Sequence, residues 1–489
     1  HLAFKFHPMK NLIALLITYS ISINMLANNI AISNISTPSI NTSAGANNVA
    51  NFRMIEFDLS WENSWRMSFG PRNWDAAWVF VKYRINTMNG GDGLWKHATL
   101  NNTGHVAPIG STIDVGLVNQ ATAFNTLTNP GVGAFIYRSA DGNGNNNFTN
   151  VQLRWNYGAN GLYDATLLDI QIFAIEMVYV PGGFNFNVGG GGGSNAFPST
   201  SISTSNATLI GSGYPFGANN NPAFPNGYNH YYCMKYEISQ QQMVDFLNTL
   251  TYTQQASRTM NIPSSAIGTA AYSNTFRNGI DVLTPGLSAT TPAVYACNLN
   301  ANAIYGETSD GQWIACNFLS YADIAAYLDW SGLRPMTELE FEKSCRGDLP
   351  PLLGEYAWGS SYLIGYASIF NSGTSSEWCG PLPNVATNSS VLGVVRVGSF
   401  ATASSSRVSA GATYYGILEM SGNVRELAIT CSTNPIFTGL NGNGIITTNG
   451  DADVSNWPNN TTAANTGLRG GAWNESGLTG LGISDRFLA

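Results

Sequence analysis

Hydrophobic and polar residues alternate along the first third of the chain. Segments such as MIEFDLSW (54–61), AAWVFVKYRIN (76–86) and VQLRWNYG (151–158) have a period of two, and turns rich in glycine and asparagine separate them. This period is typical of strands with one buried face. We therefore predict an antiparallel β-sandwich of about seven or eight strands over residues 51–175. It would serve as a structural spacer or, through exposed aromatic residues, as a sugar-binding module.

Beyond residue 175 the pattern becomes irregular, with a few helical segments between long polar loops. Ser239, Ser320 and Thr337 each precede an apolar stripe of helical period and are predicted to cap a helix. Gly332 is predicted to end the second of these helices. The remaining residues indicate short strands and long loops, so we predict an α+β domain over residues 176–489.

Charged residues just before and along the third predicted helix are spaced for ion pairs. Arg334 and Glu338 lie four residues apart, as do Glu342 and Arg346. Residues at this spacing meet on one face of a helix. A guanidinium can give a carboxylate two parallel hydrogen bonds, so such pairs could hold the long loops in place.

The beginning of the chain has the layout of a secretory signal peptide. From Met9 a single lysine is followed by an apolar run over residues 12–23 and then by small and polar residues. We predict a signal peptide over residues 9–27, a linker over residues 28–50, and a secreted, periplasmic or cell-surface location. A membrane anchor is the alternative, but the run contains polar residues and is short for a span. No other segment is expected to cross a membrane.

Composition agrees with export and argues against one class of partner. Only 10% of the 489 residues are charged, and the net charge is -8. The absence of any Lys/Arg run argues against nucleic acid as a partner. An oxidising compartment would permit disulfides, but the cysteine spacing fits no zinc site and fixes no pairing. The six cysteines are Cys233, Cys297, Cys316, Cys345, Cys379 and Cys431.

Several sequence blocks occur in the order typical of one protein family. They are MVYVPGGFNFNVG (177–189), KYEISQQQMVDFLN (235–248), SYADIAAYLDWSGLRPMTELEFEKSCRG (320–347), YAWGS (356–360), VGSF (397–400), YYGILEMSGNVREL (414–427) and GLRGGAWN (467–474). Together they resemble the formylglycine-generating enzyme, or sulfatase-modifying factor, family. The resemblance implies an elaborated, loop-rich, C-type-lectin-like fold. It also implies that the chain stops before the family's last strand.

A calcium ion is the first cofactor that the resemblance implies. The family's calcium loop matches EMSGNVRE, which places the ligands at Glu419, Gly422, Val424 and Glu426. Two carboxylates and two backbone carbonyls are the hard oxygen ligands that calcium prefers. The alternative is a turn with two solvated glutamates.

Copper is the second cofactor of the family, and here the sequence departs from the pattern. Family members oxidise a substrate cysteine to formylglycine with copper held by two cysteines, and those positions match Glu475 and Gly480. Neither residue offers a thiolate, the soft ligand that suits Cu(I). We therefore do not expect copper, unless a distant cysteine such as Cys379 or Cys431 reaches the site.

The missing cysteine pair leaves more than one function open. The first is a non-catalytic module that binds a glycan, a peptide or a surface protein in a groove formed by Trp473, Asn474 and Glu475. The second is a divergent oxidase or another protein-modifying enzyme. A structural component of the cell surface is a third. The loss of both cysteines favours the first.

Overall fold

The computed structural model describes most of the chain. The described residues are 29–86, 91–207, 221–288, 290–387, 392–432 and 436–488. The predicted signal peptide at 9–27 lies outside them. Many strands and few helices make up the described part, which agrees with the predicted mixed α and β composition. None of its helices has the length and apolar character needed to cross a lipid bilayer.

Two antiparallel sheets form the first region. Its described strands are β1 (Ala31–Ser36), β2 (Ile40–Asn41), β3 (Phe52–Arg66), β4 (Asp75–Ile85), β5 (Lys96–His97), β6 (Ser111–Leu117), β7 (Gly131–Arg138), β8 (Gly142–Trp155) and β9 (Leu168–Val180). Strand β3 pairs with β1, β2 and β8 in one sheet. The other sheet contains β9, β4, β7 and β6 in this order, with β5 paired to β4.

Side chains from both sheets share one hydrophobic core. Along β3, Ile55, Phe57 and Leu59 are buried and alternate with more exposed residues, as the period of two predicts. Strand β4 contributes Val79 and Val81 to the same core. This core holds the two sheets together.

Strand β4 differs from the prediction because both of its faces are buried. Trp78 and Phe80, on its second face, belong to a core that also contains helical residues from the second half of the chain. The indole N–H of Trp78 donates a hydrogen bond to the carbonyl of Ser331 at 2.8 Å. The second face of β4 is therefore packed against the second region, whereas in an isolated sheet it would face solvent.

The second region consists of short elements joined by long loops. Its described elements are β10 (Phe186–Val188), β11 (Thr200–Ile202), β12 (Tyr231–Met234), α1 (Gln240–Leu247), α2 (Tyr252–Arg258), β13 (Ile280–Thr284), β14 (Val294–Cys297), α3 (Tyr321–Ser331), β15 (Met336–Thr337), α4 (Glu338–Arg346), β16 (Ser368–Phe370), β17 (Trp378–Gly380), β18 (Glu426–Ile429), β19 (Thr466–Arg469) and α5 (Leu478–Leu481). All of its strand pairs are antiparallel except β15 with β18.

Helices α1, α3 and α4 begin where the sequence predicted. Ser239, Ser320 and Thr337 each cap a helix, and each makes a complete capping box with the third residue of that helix. Gly332 ends α3 with a φ of 74°, a conformation that glycine adopts without strain. The local sequence therefore determines these helix ends.

Strand β9 carries the chain from the first region into the second. It runs from Leu168 to Val180, so the boundary expected at residue 175 falls inside one strand. Its end, Met177–Val180, pairs with β12 of the second region. The two regions are thus joined through one sheet.

Candidate functional site

Buried ion pairs beneath α4 support the segments that carry the candidate site. Glu338 accepts hydrogen bonds from Arg469 at 3.0 Å and from Arg486 at 2.9 and 3.0 Å. Glu342 accepts from Arg346 at 3.1 Å, which confirms the predicted pair, and from Arg469 at 3.1 Å. All five side chains are buried. They connect α4 to the end of β19, just before the segment in which the copper ligands of the family would lie.

The predicted pair of Arg334 with Glu338 is wrong. The guanidinium of Arg334 instead donates to Glu340 at 2.9 and 2.6 Å. Glu340 is on the first turn of α4, where its carboxylate also accepts the backbone N–H of Thr337. Glu338 points to buried arginines that are distant in sequence, and spacing along the helix could not reveal them.

The loop expected to bind calcium contains carboxylate oxygens that lack donors. Oε1 of Glu419 accepts the backbone N–H of Gly398 at 2.7 Å, but its Oε2 is buried without a hydrogen-bond partner. Both carboxylate oxygens of Glu426 are likewise buried and unpartnered. Buried carboxylates need a donor or a cation, so this donor set fits calcium.

Glu237 is a third carboxylate at this loop, and the sequence did not predict it. Its Oε1 accepts the backbone N–H of Val424 at 2.8 Å, and its Oε2 accepts the side-chain amide of Asn423 at 2.5 Å. Glu237 lies in the KYEIS block that carries the family resemblance. The sequence around it does not indicate a contact with a loop 187 residues further along the chain. Glu237 fixes the backbone that would present the carbonyls of Gly422 and Val424.

Burial changes the titration of all three glutamates. It raises the pKa of Glu419 from 4.5 to about 8. Burial, and less strongly the charge of Glu419, raises the pKa of Glu426 well above its usual value. The pKa of Glu237 rises for the same reason, with further contributions from Glu419 and Glu426. Among the described residues, no group of three or more His, Cys, Asp or Glu side chains is arranged to hold a metal. A calcium site at this loop would therefore need backbone carbonyls among its ligands.

The two positions predicted to correspond to the copper cysteines are adjacent in space. A Cβ built on Gly480 would lie 2.9 Å from Oε2 of Glu475, so this carboxylate packs against the glycine. Oε1 of Glu475 forms an ion pair with Arg425, and Oε2 accepts the backbone N–H of Ala472 at 2.8 Å. Gly480 has a φ of 92°, which disfavours any L-residue, including cysteine. These residues do not fit a copper site with two thiolates.

Cys379 and Cys431, the two cysteines considered as substitutes, do not line the pocket at this segment. The small pocket that contains Glu475 and Gly480 has no thiol in its lining. Cys379 lies in a separate core with Tyr366 and Phe400, and burial raises the pKa of its thiol to about 12. Cys431 is buried beside Glu338, which accepts its backbone N–H at 2.9 Å.

A large cavity lies between the two regions. Its volume is about 1220 Å³. Of the three residues predicted to form the groove, Trp473 and Asn474 line this cavity, whereas Glu475 lines the small pocket instead. The first region contributes residues such as Trp74 and Tyr137. The binding space is therefore built by both regions, which the sequence alone did not predict.

Three aromatic residues form one side of the cavity, two of them exposed and the third, Trp473, partly buried against a hydrophobic core. The ring of Phe276 lies 4.8 Å from that of Trp473 and 6.3 Å from that of Phe318. Phe276 and Phe318 are 41% and 45% exposed, and both have positive φ, 53° and 64°. Bulky residues in this backbone region are strained, and such strain is concentrated at functional sites. We refer to these three residues as the aromatic rim.

The charged groups of the cavity are mainly acidic. Its two arginines are already paired, Arg334 with Glu340 and Arg425 with Glu475. The acids Asp114, Glu237 and Glu426 also line it. Both arginines in the described lining of the cavity already pair with a carboxylate, so neither is available to an anionic ligand. The cavity therefore suits neutral or cationic ligands.

Comparison with known proteins identifies one family. Residues 172–478 match the FGE-sulfatase family, described as the sulfatase-modifying factor enzyme 1-like domain. The match covers more than half of the chain, including the candidate calcium loop and the aromatic rim. No curated protein matches the chain.

Proposed function

We propose a function from the premise that the chain belongs to the family of sulfatase-modifying factor enzyme 1-like domains. In this proposal the protein keeps the scaffold of the family without its copper chemistry and binds a ligand instead. The observation that carries this proposal is the pair of positions matching the copper cysteines. Glu475 occupies one of them in an ion pair with Arg425, and the backbone of Gly480 disfavours a side chain at the other.

The ligand in this proposal is an uncharged oligosaccharide held in the cavity between the two regions. A volume of about 1220 Å³ exceeds the roughly 300–1,000 Å³ typical of small-molecule sites, which favours an oligomeric ligand. The aromatic rim offers apolar ring surface at its edge. Asn317 and Asn474 offer amide groups to hydroxyls, and the paired arginines argue against an anion.

Calcium has a structural role in the proposal. The carboxylates of Glu419 and Glu426, with the backbone carbonyls of Gly422 and Val424, would hold the ion. Bound calcium supplies positive charge that neutralises the buried carboxylates. Glu237 orients this loop, and Asn423 and Val424 of the loop line the cavity, so the loop also shapes the binding site.

The proposal also covers architecture and location. The core shared by the two sheets of the first region supports a β-sandwich. The loop-rich second region supports the C-type-lectin-like scaffold that the resemblance implies. Export to the periplasm, the cell surface or the medium rests on the sequence at residues 9–27 and on the low fraction of charged residues.

Binding of oligosaccharides tests the ligand. A glycan array followed by calorimetry on the full chain is expected to find binding that Trp473→Ala weakens at least tenfold. Trp378→Ala is the matched control, because Trp378 is 46% exposed and stacks on Phe370 outside the cavity. Equal losses in both variants, or binding only to peptides, would contradict the proposed ligand.

An activity assay tests the absence of copper chemistry. The full chain is incubated with copper and a peptide that contains the Cys-x-Pro-x-Arg motif, and the peptide is analysed by mass spectrometry. We expect unchanged peptide. Formation of an aldehyde would overturn the non-catalytic assignment and support the divergent oxidase.

A further inference from the structure

One lysine and two acids form a fully buried cluster where the two regions meet. Lys235, directly after β12, places its Nζ 3.1 Å from Oδ2 of Asp75 and 2.8 Å from Oε2 of Glu176. Asp75 begins β4 and Glu176 lies on β9, which is the strand between β4 and β12. The three side chains are at most 4% exposed. Neither the family match nor the ligand cavity explains this cluster.

From this geometry we propose that Lys235 and Asp75 condense spontaneously to an amide cross-link, with Glu176 relaying protons. Nζ is in contact with Oδ2 of Asp75, so the folded protein holds the nucleophile and the electrophile together. The cross-link would join the first and second regions covalently. It is independent of the proposed ligand and of calcium.

The surroundings of Asp75 fit an acyl-transfer reaction. Its Oδ1 accepts two hydrogen bonds, from the hydroxyl of Ser64 at 2.6 Å and from the backbone N–H of Trp65 at 3.1 Å. Two donors on one oxygen would stabilise the negative charge that develops there when the carboxyl carbon becomes tetrahedral. Oδ2, which faces Lys235 and accepts the indole N–H of Trp61 at 2.9 Å, is then the leaving oxygen.

Glu176 is suited to move protons because it is buried and incompletely hydrogen-bonded. Its Oε1 has no hydrogen-bond partner. Burial raises the pKa of Glu176, although the charge of Lys235 opposes this change. Burial acts to lower the pKa of Lys235, but the charges of Glu176, Tyr236 and Asp75 outweigh it and raise this pKa. The amine therefore has to lose a proton before it can attack.

The reaction balances without an external reagent. A proton passes from the ammonium of Lys235 to the carboxylate of Asp75, which gives a neutral amine and a carboxylic acid. The amine lone pair attacks Cγ of Asp75, a C–N bond forms and the bond from Cγ to Oδ2 breaks. Glu176 gives its proton to the departing hydroxyl and takes one from Nζ, so that water leaves and Glu176 is regenerated. Exclusion of bulk water from the cluster favours condensation over hydrolysis.

Mass spectrometry of the full chain tests the cross-link. After tryptic digestion we expect one branched peptide that carries both Asp75 and Lys235, lighter by one water molecule than the two peptides together. Trypsin will not cut after Lys235, because its amine is acylated. Recovery of the two peptides separately, each at its full mass, would overturn the proposal.

Two variants and one control assign the roles. Lys235→Arg keeps the charge and is expected to abolish the branched peptide, and Glu176→Gln is expected to slow its appearance after refolding at least tenfold. Lys82→Arg is the matched control, since Lys82 is also buried between the regions but its Nζ contacts the backbone carbonyls of Trp330 and Gly444. The branched peptide should persist in the control. Formation at the wild-type rate in Glu176→Gln would exclude Glu176 as the proton relay.

Discussion

Two groups of buried carboxylates in the second region differ in their partners. The paired group, Glu338 and Glu342, faces arginines at distances between 2.9 and 3.1 Å. The loop group, Glu419 and Glu426, contains three buried oxygens without donors. The charges of the paired group are balanced by arginines of the same chain. The loop group requires protons or a cation to balance its charges.

This difference assigns the paired group to the structural scaffold and the loop group to the candidate site. Removing a charge from water is costly, and an ion pair compensates only when its geometry is good. The paired group meets this condition with protein atoms, so its role is to fix α4 and the end of β19. The loop group leaves the compensation to protons or a cation, so the stability of the loop should depend on pH and on the ions in solution.

The largest effect is expected from breaking the paired group. Arg469→Gln removes hydrogen bonds from Glu338 and Glu342 and leaves buried negative charge, so we expect a loss of about 3–5 kcal/mol in the free energy of unfolding. Denaturant titration measures this loss. Arg84→Gln is the control, because Arg84 pairs with Asp169 at the surface and should contribute only about 0–1 kcal/mol. Similar losses in both variants would show that the buried group is not a scaffold.

Calcium should stabilise the loop group. At free calcium about 100 times its dissociation constant, binding to the folded state alone adds about 2.7 kcal/mol, seen as a higher melting temperature than in EDTA. Glu426→Gln should abolish this response. Glu56→Gln should retain it, because Glu56 lies in the first region and accepts from Gln152. A calcium response that survives Glu426→Gln would place the ion elsewhere.

The loop group should also make the calcium-free protein sensitive to pH. Burial raises the pKa of Glu419 from 4.5 in the unfolded chain to about 8 in the folded protein. The folded state therefore holds more protons between these values, and its stability falls as pH rises from about 5 to about 8. Denaturant titrations in EDTA across this range measure the slope.

The variant Glu419→Gln and the addition of calcium test which groups cause this dependence of stability on pH. Glu419→Gln should reduce it, because the amide does not titrate, whereas Glu237 and Glu426 still do. Calcium should oppose it, because the ion binds the deprotonated carboxylates. An unchanged slope in Glu419→Gln would assign the titration to other groups.

The sequence predicted local features of the fold correctly. The period of two along β3 and the caps at Ser239, Ser320 and Thr337 depend on neighbouring residues, and the structure confirms them. The burial of both faces of β4 depends on a region far along the chain. A local pattern carries no information about such a contact, so only one buried face was expected.

The candidate site shows the same limit. Motif alignment proposed Glu419 and Glu426 because both lie within a recognisable block, and Glu475 and Gly480 by their spacing after the last block. It did not identify Glu237, whose link to the loop is made only by folding. Helical spacing predicted the pair of Glu342 with Arg346 and failed for Arg334, because the buried arginines compete for Glu338.

The smallest effect is expected at the ion pair of Arg425 with Glu475, which is intermediate between the two groups. Its side chains are 32% and 22% exposed, so solvent screens their attraction. A double-mutant cycle with Arg425→Gln and Glu475→Gln should give a coupling energy of about 0.5–1 kcal/mol in denaturant titrations. A coupling as large as the loss in Arg469→Gln would make this pair part of the scaffold. A small coupling would mean that the ion pair contributes little to stability, as expected if this segment is free to serve binding.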